Sequence, residues 1–246
     1  MLVDVHCHLD MIENLDESIK HAINTGLKSI ITNSGNLESC KANILIAESY
    51  PIVKLALGIY PLDALKENYK KTIEFITKNI KQAVAIGEVG LDYHLPEFSD
   101  KKSIDIQKKV FQKQIEIAEK AKLPIIVHSR KAELDIIEML ESSKLKHIIL
   151  HCFGGKLKLA KQATENGWNL SIPASITRAE HFQKIVEQTN ISQLLTETDS
   201  PYQSPYYGQK NEPSFIIEGV KKIAEIKGIT LEECKKNIFM NFQKIF

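Results

Sequence analysis

Cysteine is scarce in this chain: Cys7, Cys40, Cys152 and Cys234 are scattered over 246 residues and form no Cys-x-x-Cys pair. That usage excludes a dense disulfide framework and fits a reducing compartment. No apolar run approaches the roughly 20 residues needed to cross a bilayer, so no membrane-spanning segment is expected. No apolar stretch of signal type follows Met1-Leu2-Val3-Asp4, and a cytoplasmic location is the expectation. An excess of one charge is missing as well. Lys plus Arg total 32 against 31 for Asp plus Glu, so no global basic field exists to coat nucleic acid non-specifically. Nucleic acid held locally at a metal site stays open. No Gly-x-Ser-x-Gly elbow marks a serine nucleophile. No linker, low-complexity tract or charge block divides the chain, so one domain over residues 1–246 is expected, with no stable protein partner.

What is present is a repeat of short apolar runs and amphipathic stretches. Hydrophobic residues make up 43% of the chain, enough for a sizeable core. Runs rich in Val, Ile and Leu recur at Leu2–His8, Lys28–Asn33, Val53–Gly58, Ala83–Glu88, Pro124–His128, His147–His151, Trp168–Ile172 and Gln193–Thr198. Between them, helices are expected over Leu15–Thr25, Leu37–Tyr50, Ala64–Ile80, Ser103–Ala121, Lys131–Ser143, Lys156–Asn166 and Arg178–Gln188. Two more follow, over Pro213–Lys227 and Leu231–Ile245. Gly26, Gly167 and Gly228 stand where helices should stop, and Pro213 suits a first helical turn. Apolar strands alternating with helices imply a parallel sheet covered by helices. Eight such units favour closure into an α/β (β/α)8 TIM barrel over an open sheet.

Chemistry-bearing side chains fall at the strand ends. Side chains alternate along a strand, so His6 and His8 share a face. Glu88, His128, His151 and Asp199 close the fourth, fifth, sixth and eighth runs. Any one of these alone is more simply a solvated or core residue, a cap or a surface charge. All six at the same end of five of the expected strands point to a metal-binding set. Imidazole and carboxylate suit borderline divalent ions. Four His and two acids exceed what one ion takes with positions left for water. Two ions sharing one carboxylate is the economical arrangement, and Glu88 is the natural bridge. The native ion stays open among Mg²⁺, Mn²⁺ and Zn²⁺. Such ions lower the pKa of bound water from 15.7 towards ~7. Asp199 is placed to ligate an ion and to accept that water's proton. Glu88 and Asp199 are therefore the expected catalytic pair. Cys7 and Cys152, each beside a ligand, turn away by alternation and read as small core residues.

The matching strings are Val3-Asp4-Val5-His6-Cys7-His8-Leu9-Asp10, Ala85-Ile86-Gly87-Glu88-Val89-Gly90-Leu91-Asp92-Tyr93, Val127-His128-Ser129-Arg130, His151-Cys152-Phe153, Thr196-Glu197-Thr198-Asp199-Ser200-Pro201-Tyr202 and Asn211-Glu212-Pro213. In this order they resemble the TatD family of metal-dependent deoxyribonucleases, within the amidohydrolase-like barrels. The resemblance runs over essentially the whole chain. It implies hydrolysis of DNA phosphodiesters with Mg²⁺, Mn²⁺, Zn²⁺ or similar ions. It implies one ion among His6, His8, Glu88 and Asp199, and a second among Glu88, His128 and His151. One departure stands out. Many members carry Gly-x-His-Pro-His after the third strand, with both His on the substrate side. Here the string is Gly58-Ile59-Tyr60-Pro61-Leu62, in which Tyr60 can still donate one hydrogen bond and Leu62 cannot.

Five further residues are candidates for substrate contact. Tyr60 is the first. Arg130 either pairs a phosphate bidentately or anchors a loop. Lys156 and Arg178 either meet phosphate or stay solvated. Tyr202, with Tyr206 and Tyr207, either stacks on bases or packs its loop down, the latter slightly favoured. Asp92 is expected to cap or brace the loop after Glu88, with a role behind the ligands as the alternative. DNA is the expected substrate. A small-molecule amide, lactone or phosphoester is the alternative, and a non-catalytic binding barrel is a third reading.

Overall fold

The structure is a computed structural model and describes residues 1–66 and 68–246. Among these, eight strands form one parallel sheet in sequence order. They are β1 (Leu2–Cys7), β2 (Leu27–Asn33), β3 (Val53–Leu57), β4 (Ala85–Asp92), β5 (Ile125–Arg130), β6 (Ile148–His151), β7 (Asn169–Pro173) and β8 (Leu194–Glu197). The helices are α1 (Leu15–Thr25), α2 (Leu37–Ser49), α3 (Asp63–Lys66), α4 (Tyr69–Asn79), α5 (Lys101–Ala121), α6 (Glu133–Glu141), α7 (Leu157–Glu165), α8 (Glu180–Gln188), α9 (Ile216–Lys227) and α10 (Leu231–Ile245). This is the expected (β/α)8 barrel.

The seam between β1 and β8 closes through individual bonds. Asp199 N donates to His6 O at 2.8 Å, His8 N to Ser200 O at 2.8 Å, and Thr196 Oγ1 to Val3 O at 2.8 Å. Two of these three bonds involve metal-candidate residues, so closing the barrel also sets their backbone positions.

Two apolar layers hold the strands. The inner layer is Val5, Ile31, Ala56, Ala85, Ile126, Ile149 and Leu195, all fully buried, with Phe242, Ile245 and Phe246 packed against it. The last turn of α10 therefore plugs the end opposite the strand C-termini. The outer layer lies between sheet and helices and includes Cys7, Val110, Phe111, Ile115, Ile136 and Phe153. Burying one such Ile or Leu contributes about 1.5–3 kcal/mol.

Helix termini follow their local chemistry. Asn36 accepts from Ser39 N, and Asp100 from Lys102 N and Ser103 N. Thr230 and Glu233 form a reciprocal capping box, and Gly26 and Gly228 end α1 and α9 in the left-handed region. The expected helix over Ala64–Ile80 is two helices, α3 and α4. Asn68 sits at the N-cap of α4, a position its side chain favours over a helix interior. Residue 67 of that stretch lies outside the described residues.

The expected end of the fourth strand also shifts. β4 continues past Glu88 to Asp92 because Gly90, Leu91 and Asp92 pair with His128, Ser129 and Arg130 of β5. Gly90 makes this possible. Its φ is +140°, and a Cβ there would lie 2.0 Å from His128 O. Only glycine fits.

Candidate metal centre

The barrel mouth gathers all six ligand candidates. His6 lies inside β1, and His8 follows it by one step past the strand. Glu88 lies in mid-β4, His128 near the end of β5, His151 at the last position of β6, and Asp199 two residues past β8. Asp199 has φ +56°, a left-handed turn that brings its carboxylate back over the mouth.

Glu88 sits at the middle with one oxygen for each half of the set. Its Oε1 lies 2.9 Å from His128 Nδ1 and 3.0 Å from His151 Nε2. Its Oε2 lies 3.6 Å from His6 Nε2 and 3.4 Å from His8 Nε2. Asp199 Oδ1 lies 3.5 Å from both His6 Nε2 and His8 Nε2. The rings of His6 and His151 stack at 3.8 Å, joining the halves.

These distances fit a divalent ion. Donor atoms each about 2.0–2.1 Å from a common ion lie roughly 3–3.5 Å from one another. The donor atoms of His6, Glu88 and His151 lie within 4.8 Å of one another, as do those of His6, His8 and Asp199. His6 is fully buried, and its Nε2 has no hydrogen-bond partner although two carboxylates face it. An unsatisfied buried polar atom costs about 1–3 kcal/mol, a cost that a coordinated cation removes. Buried carboxylate beside buried imidazole is also the donor chemistry such ions select.

A ring of polar groups orients the ligands from behind. His8 Nδ1 faces Asn33 O at 3.2 Å, which turns Nε2 to the centre. His151 Nδ1 faces Glu197 Oε1 at 3.5 Å, and Ser171 Oγ donates to the other oxygen of Glu197. His128 Nε2 faces Asp92 Oδ2 at 3.1 Å. Asp4, fully buried, accepts from His6 N at 3.2 Å and from Thr198 N at 3.0 Å, so one carboxylate braces both sides of the seam.

The electrostatics follow from burial and mutual charge. Burial pulls His8 down, but its bond to Asp199 and the charge of Glu88 raise it to about 9. Burial likewise opposes His151 and His128. The Glu197 and Glu88 charges nevertheless hold His151 well above the usual imidazole range, and bonds to Asp92 and Glu88 raise His128. Glu88 is held well below the carboxylate range, because the surrounding imidazoles outweigh its burial. His6 goes the other way, lowered well below its ordinary value by burial and by the charge of His151.

The substrate candidates are spread around the rim. Arg130 is exposed at the end of β5, and Lys156 is exposed at the N-cap of α7. Arg178 is not freely solvated. Its Nε donates to Ser204 O at 2.9 Å, and its guanidinium lies over the Tyr207 ring at 5.0 Å. Tyr202 stands 6.1 Å from the His8 ring. Tyr202, Tyr206 and Tyr207 are 52%, 43% and 83% exposed, and the Tyr206 ring also packs edge-on against Phe215 at 5.1 Å. Tyr60 turns its hydroxyl to Asp92 Oδ2 at 2.9 Å instead of leaving it free at the mouth. Cys7 lies in the outer apolar layer, away from the centre.

Three carboxylates lie behind the ligands: Asp4 and Glu197, to which the sequence reading gave no role, and Asp92, whose place there was the alternative expectation. The alternation that pairs His6 with His8 reaches two of them. Asp4 is two residues before His6, and Glu197 two before Asp199. Asp92 is four past Glu88, and its contact with His128 was not foreseen because the fourth strand was expected to stop at Glu88.

A parallel eight-stranded barrel with imidazoles and carboxylates converging at its C-terminal mouth is the architecture of a metal-dependent hydrolase. The comparisons narrow the class. The family model described as TatD related DNase matches residues 3–246, and the chain belongs to that family. It is 34% identical to an uncharacterized metal-dependent hydrolase of Methanocaldococcus jannaschii, over 99% of this chain and 96% of that one. It is 33% identical to the human protein named deoxyribonuclease TATDN3, over 100% of this chain and 94% of that one. The crystal structure of YjjV, a TatD homolog from Escherichia coli, superposes with a TM-score of 0.90 at 25% identity, covering 100% of this chain and 97% of that chain.

Proposed function

We propose that this chain is a two-ion phosphodiesterase that hydrolyses DNA, as a single strand or at an end. The observation that carries the reading is Glu88, whose two oxygens face His128 with His151 on one side and His6 with His8 on the other. That division supports His6, His8, Glu88 and Asp199 as holders of one ion and Glu88, His128 and His151 as holders of the second. When bound, Mg²⁺, Mn²⁺ or Zn²⁺ supplies hydroxide near neutral pH and charge to offset the developing oxyanion. The protein's part is to keep the donors in place and to move a proton. Asp199 receives it, since its carboxylate overhangs the mouth at 3.5 Å from two imidazoles. One barrel carries all six side chains, which supports one catalytic unit over residues 1–246. Four cysteines scattered along the chain are compatible with the cytoplasm.

DNA is favoured by the family and by the rim. Exposed tyrosines next to a phosphodiesterase centre offer faces on which unpaired bases stack, worth about 1–3 kcal/mol per base. Arg178 stacked on Tyr207 presents a planar cation beside them. Arg130 and Lys156, exposed after the neighbouring strands β5 and β6, supply charge for phosphate. No described helix is long and apolar enough to cross a membrane.

The test is digestion of labelled single- and double-stranded DNA by metal-free protein resupplied with each ion. Cleavage that needs an added ion and vanishes in Asp199→Asn supports the reading. No cleavage of any DNA with any ion overturns it. A small phosphoester or amide substrate is the second reading, favoured by Tyr60 and Leu62, which leave the substrate side without an imidazole pair. Turnover of such compounds with none on DNA would select it.

A further inference from the structure

Tyr60, on the segment after β3, points its hydroxyl to a buried carboxylate. Asp92 is 1% exposed, and a single oxygen, Oδ2, takes both Tyr60 OH at 2.9 Å and His128 Nε2 at 3.1 Å. The other oxygen accepts His94 N at 2.8 Å. A phenol facing a carboxylate acts as the donor. Asp92 is itself immobilised by Gln107, whose Oε1 accepts Asp92 N at 2.8 Å and whose Nε2 donates to Asp92 O at 3.0 Å.

Tyr60 is held as firmly. Its N donates to Gly35 O at 2.8 Å, and the preceding residue is clamped by Gln114, which accepts Ile59 N at 2.7 Å and donates to Ile59 O at 3.2 Å. The Tyr60 ring also packs edge-on against the His128 ring at 4.9 Å. Two contacts, one polar and one steric, thus converge on one imidazole.

His128 is the ligand candidate most in need of such control. Its Nδ1 lies 2.9 Å from Glu88 Oε1 and 3.2 Å from His151 Nε2. For Nδ1 to offer a lone pair there, the ring proton must sit on Nε2. Asp92 Oδ2 is the acceptor that holds it there. A carboxylate behind a ligating imidazole fixes tautomer and ring plane, and loss of such a partner typically weakens metal binding about 10–100-fold.

We infer that Tyr60 is a positioning residue for the metal centre: acting through Asp92, it fixes the tautomer and plane of His128 and so strengthens the ion held with Glu88 and His151. The inference rests on the proposed second ion. It gives Tyr60 a different task from substrate contact and leaves phosphate recognition at that side to other groups, Arg130 foremost.

The experiment is calorimetric titration of Zn²⁺ into metal-free protein, with His128→Ala used to identify the step belonging to the second ion. Tyr60→Phe keeps the ring against His128 and removes only the hydroxyl. It should weaken that step about 10-fold and leave the other step unchanged. Asp92→Asn should weaken it by about 10–100-fold. Adding Tyr60→Phe to Asp92→Asn should cost nothing further, because the hydroxyl acts through the carboxylate. An unchanged second step in Tyr60→Phe overturns the inference, as does a full additional loss in the double variant. If Asp92→Asn does not fold, Tyr60→Phe alone decides by the same criterion. A wild-type protein that shows only one step overturns both this inference and the two-ion reading. Two steps in the wild type with no response to Tyr60→Phe leave that reading standing and remove only the role of Tyr60.

Discussion

The two ends of this barrel are built from the same strands under opposite rules. At the closed end, Val5, Ile31, Ala56, Ala85, Ile126, Ile149 and Leu195 pack as an apolar layer under the last turn of α10. At the open end the same strands present His6, Glu88, His128 and His151, with Asp4, Asp92 and Glu197 buried behind them. The first arrangement gains free energy from burial. The second buries charge, which costs stability unless paired. A molecule that folded only for stability would not carry the second end. The difference separates what holds the barrel from what the barrel is for.

That separation can be broken at either end. The largest expected effect is at the open end. Asp199→Asn should reduce hydrolysis by about 10²–10⁴-fold, the usual worth of a positioned proton acceptor, while the metal-free variant still folds and melts in one cooperative transition. Steady-state rates together with a melting curve check both halves. At the closed end the pattern should invert. Ile149→Ala should cost about 2–5 kcal/mol of stability and leave kcat, measured well below the melting temperature, nearly unchanged. Denaturant titration alongside kinetics would show it.

A pH series sharpens the comparison further. In the metal-free protein His8 is raised from 6.5 to about 9. A folded-state value above the unfolded one gives stability that is complete below pH 6.5 and lost as pH climbs through 9. The metal-free melting temperature should therefore fall over that window. Ion binding needs unprotonated imidazole and must displace these protons, so affinity should rise over the same window. Melting curves from pH 6 to pH 9.5, with and without Mn²⁺, test both signs. The smallest effect belongs to neither end. Lys113→Ala, which removes the exposed pair with Glu116, should change stability by less than about 1 kcal/mol and activity not at all.

The barrel and the meeting of the six candidate side chains at its mouth were legible from sequence for simple reasons. Strand alternation places His6 with His8, and short apolar runs between helix-length stretches announce a parallel barrel. Glu88 could be named as the bridge from its place between the His-bearing strands. The groups behind the ligands were harder. The bond of Asp92 to His128 was not readable because the fourth run was expected to end at Glu88, whereas the φ of +140° at Gly90 lets β4 lie flush against His128 O and run on for two residues. Glu197 and Asp4 were hidden because an acidic side chain usually signals solvent. Tyr60 was read as a donor to substrate because the sequence gives the residue type and not the direction of its hydroxyl. That direction depends on Gln114 and Gln107, which lie on α5 and are distant in sequence from the strand ends.

The central claim is that one carboxylate joins two ion sites, and ion counting on Glu88→Gln tests it most directly. Metal-free wild-type protein, saturated with Zn²⁺ and desalted, should retain two ions per chain by elemental analysis. Glu88→Gln, folded by circular dichroism, should retain fewer than one. Two ions held by Glu88→Gln as tightly as by the wild type would contradict the account.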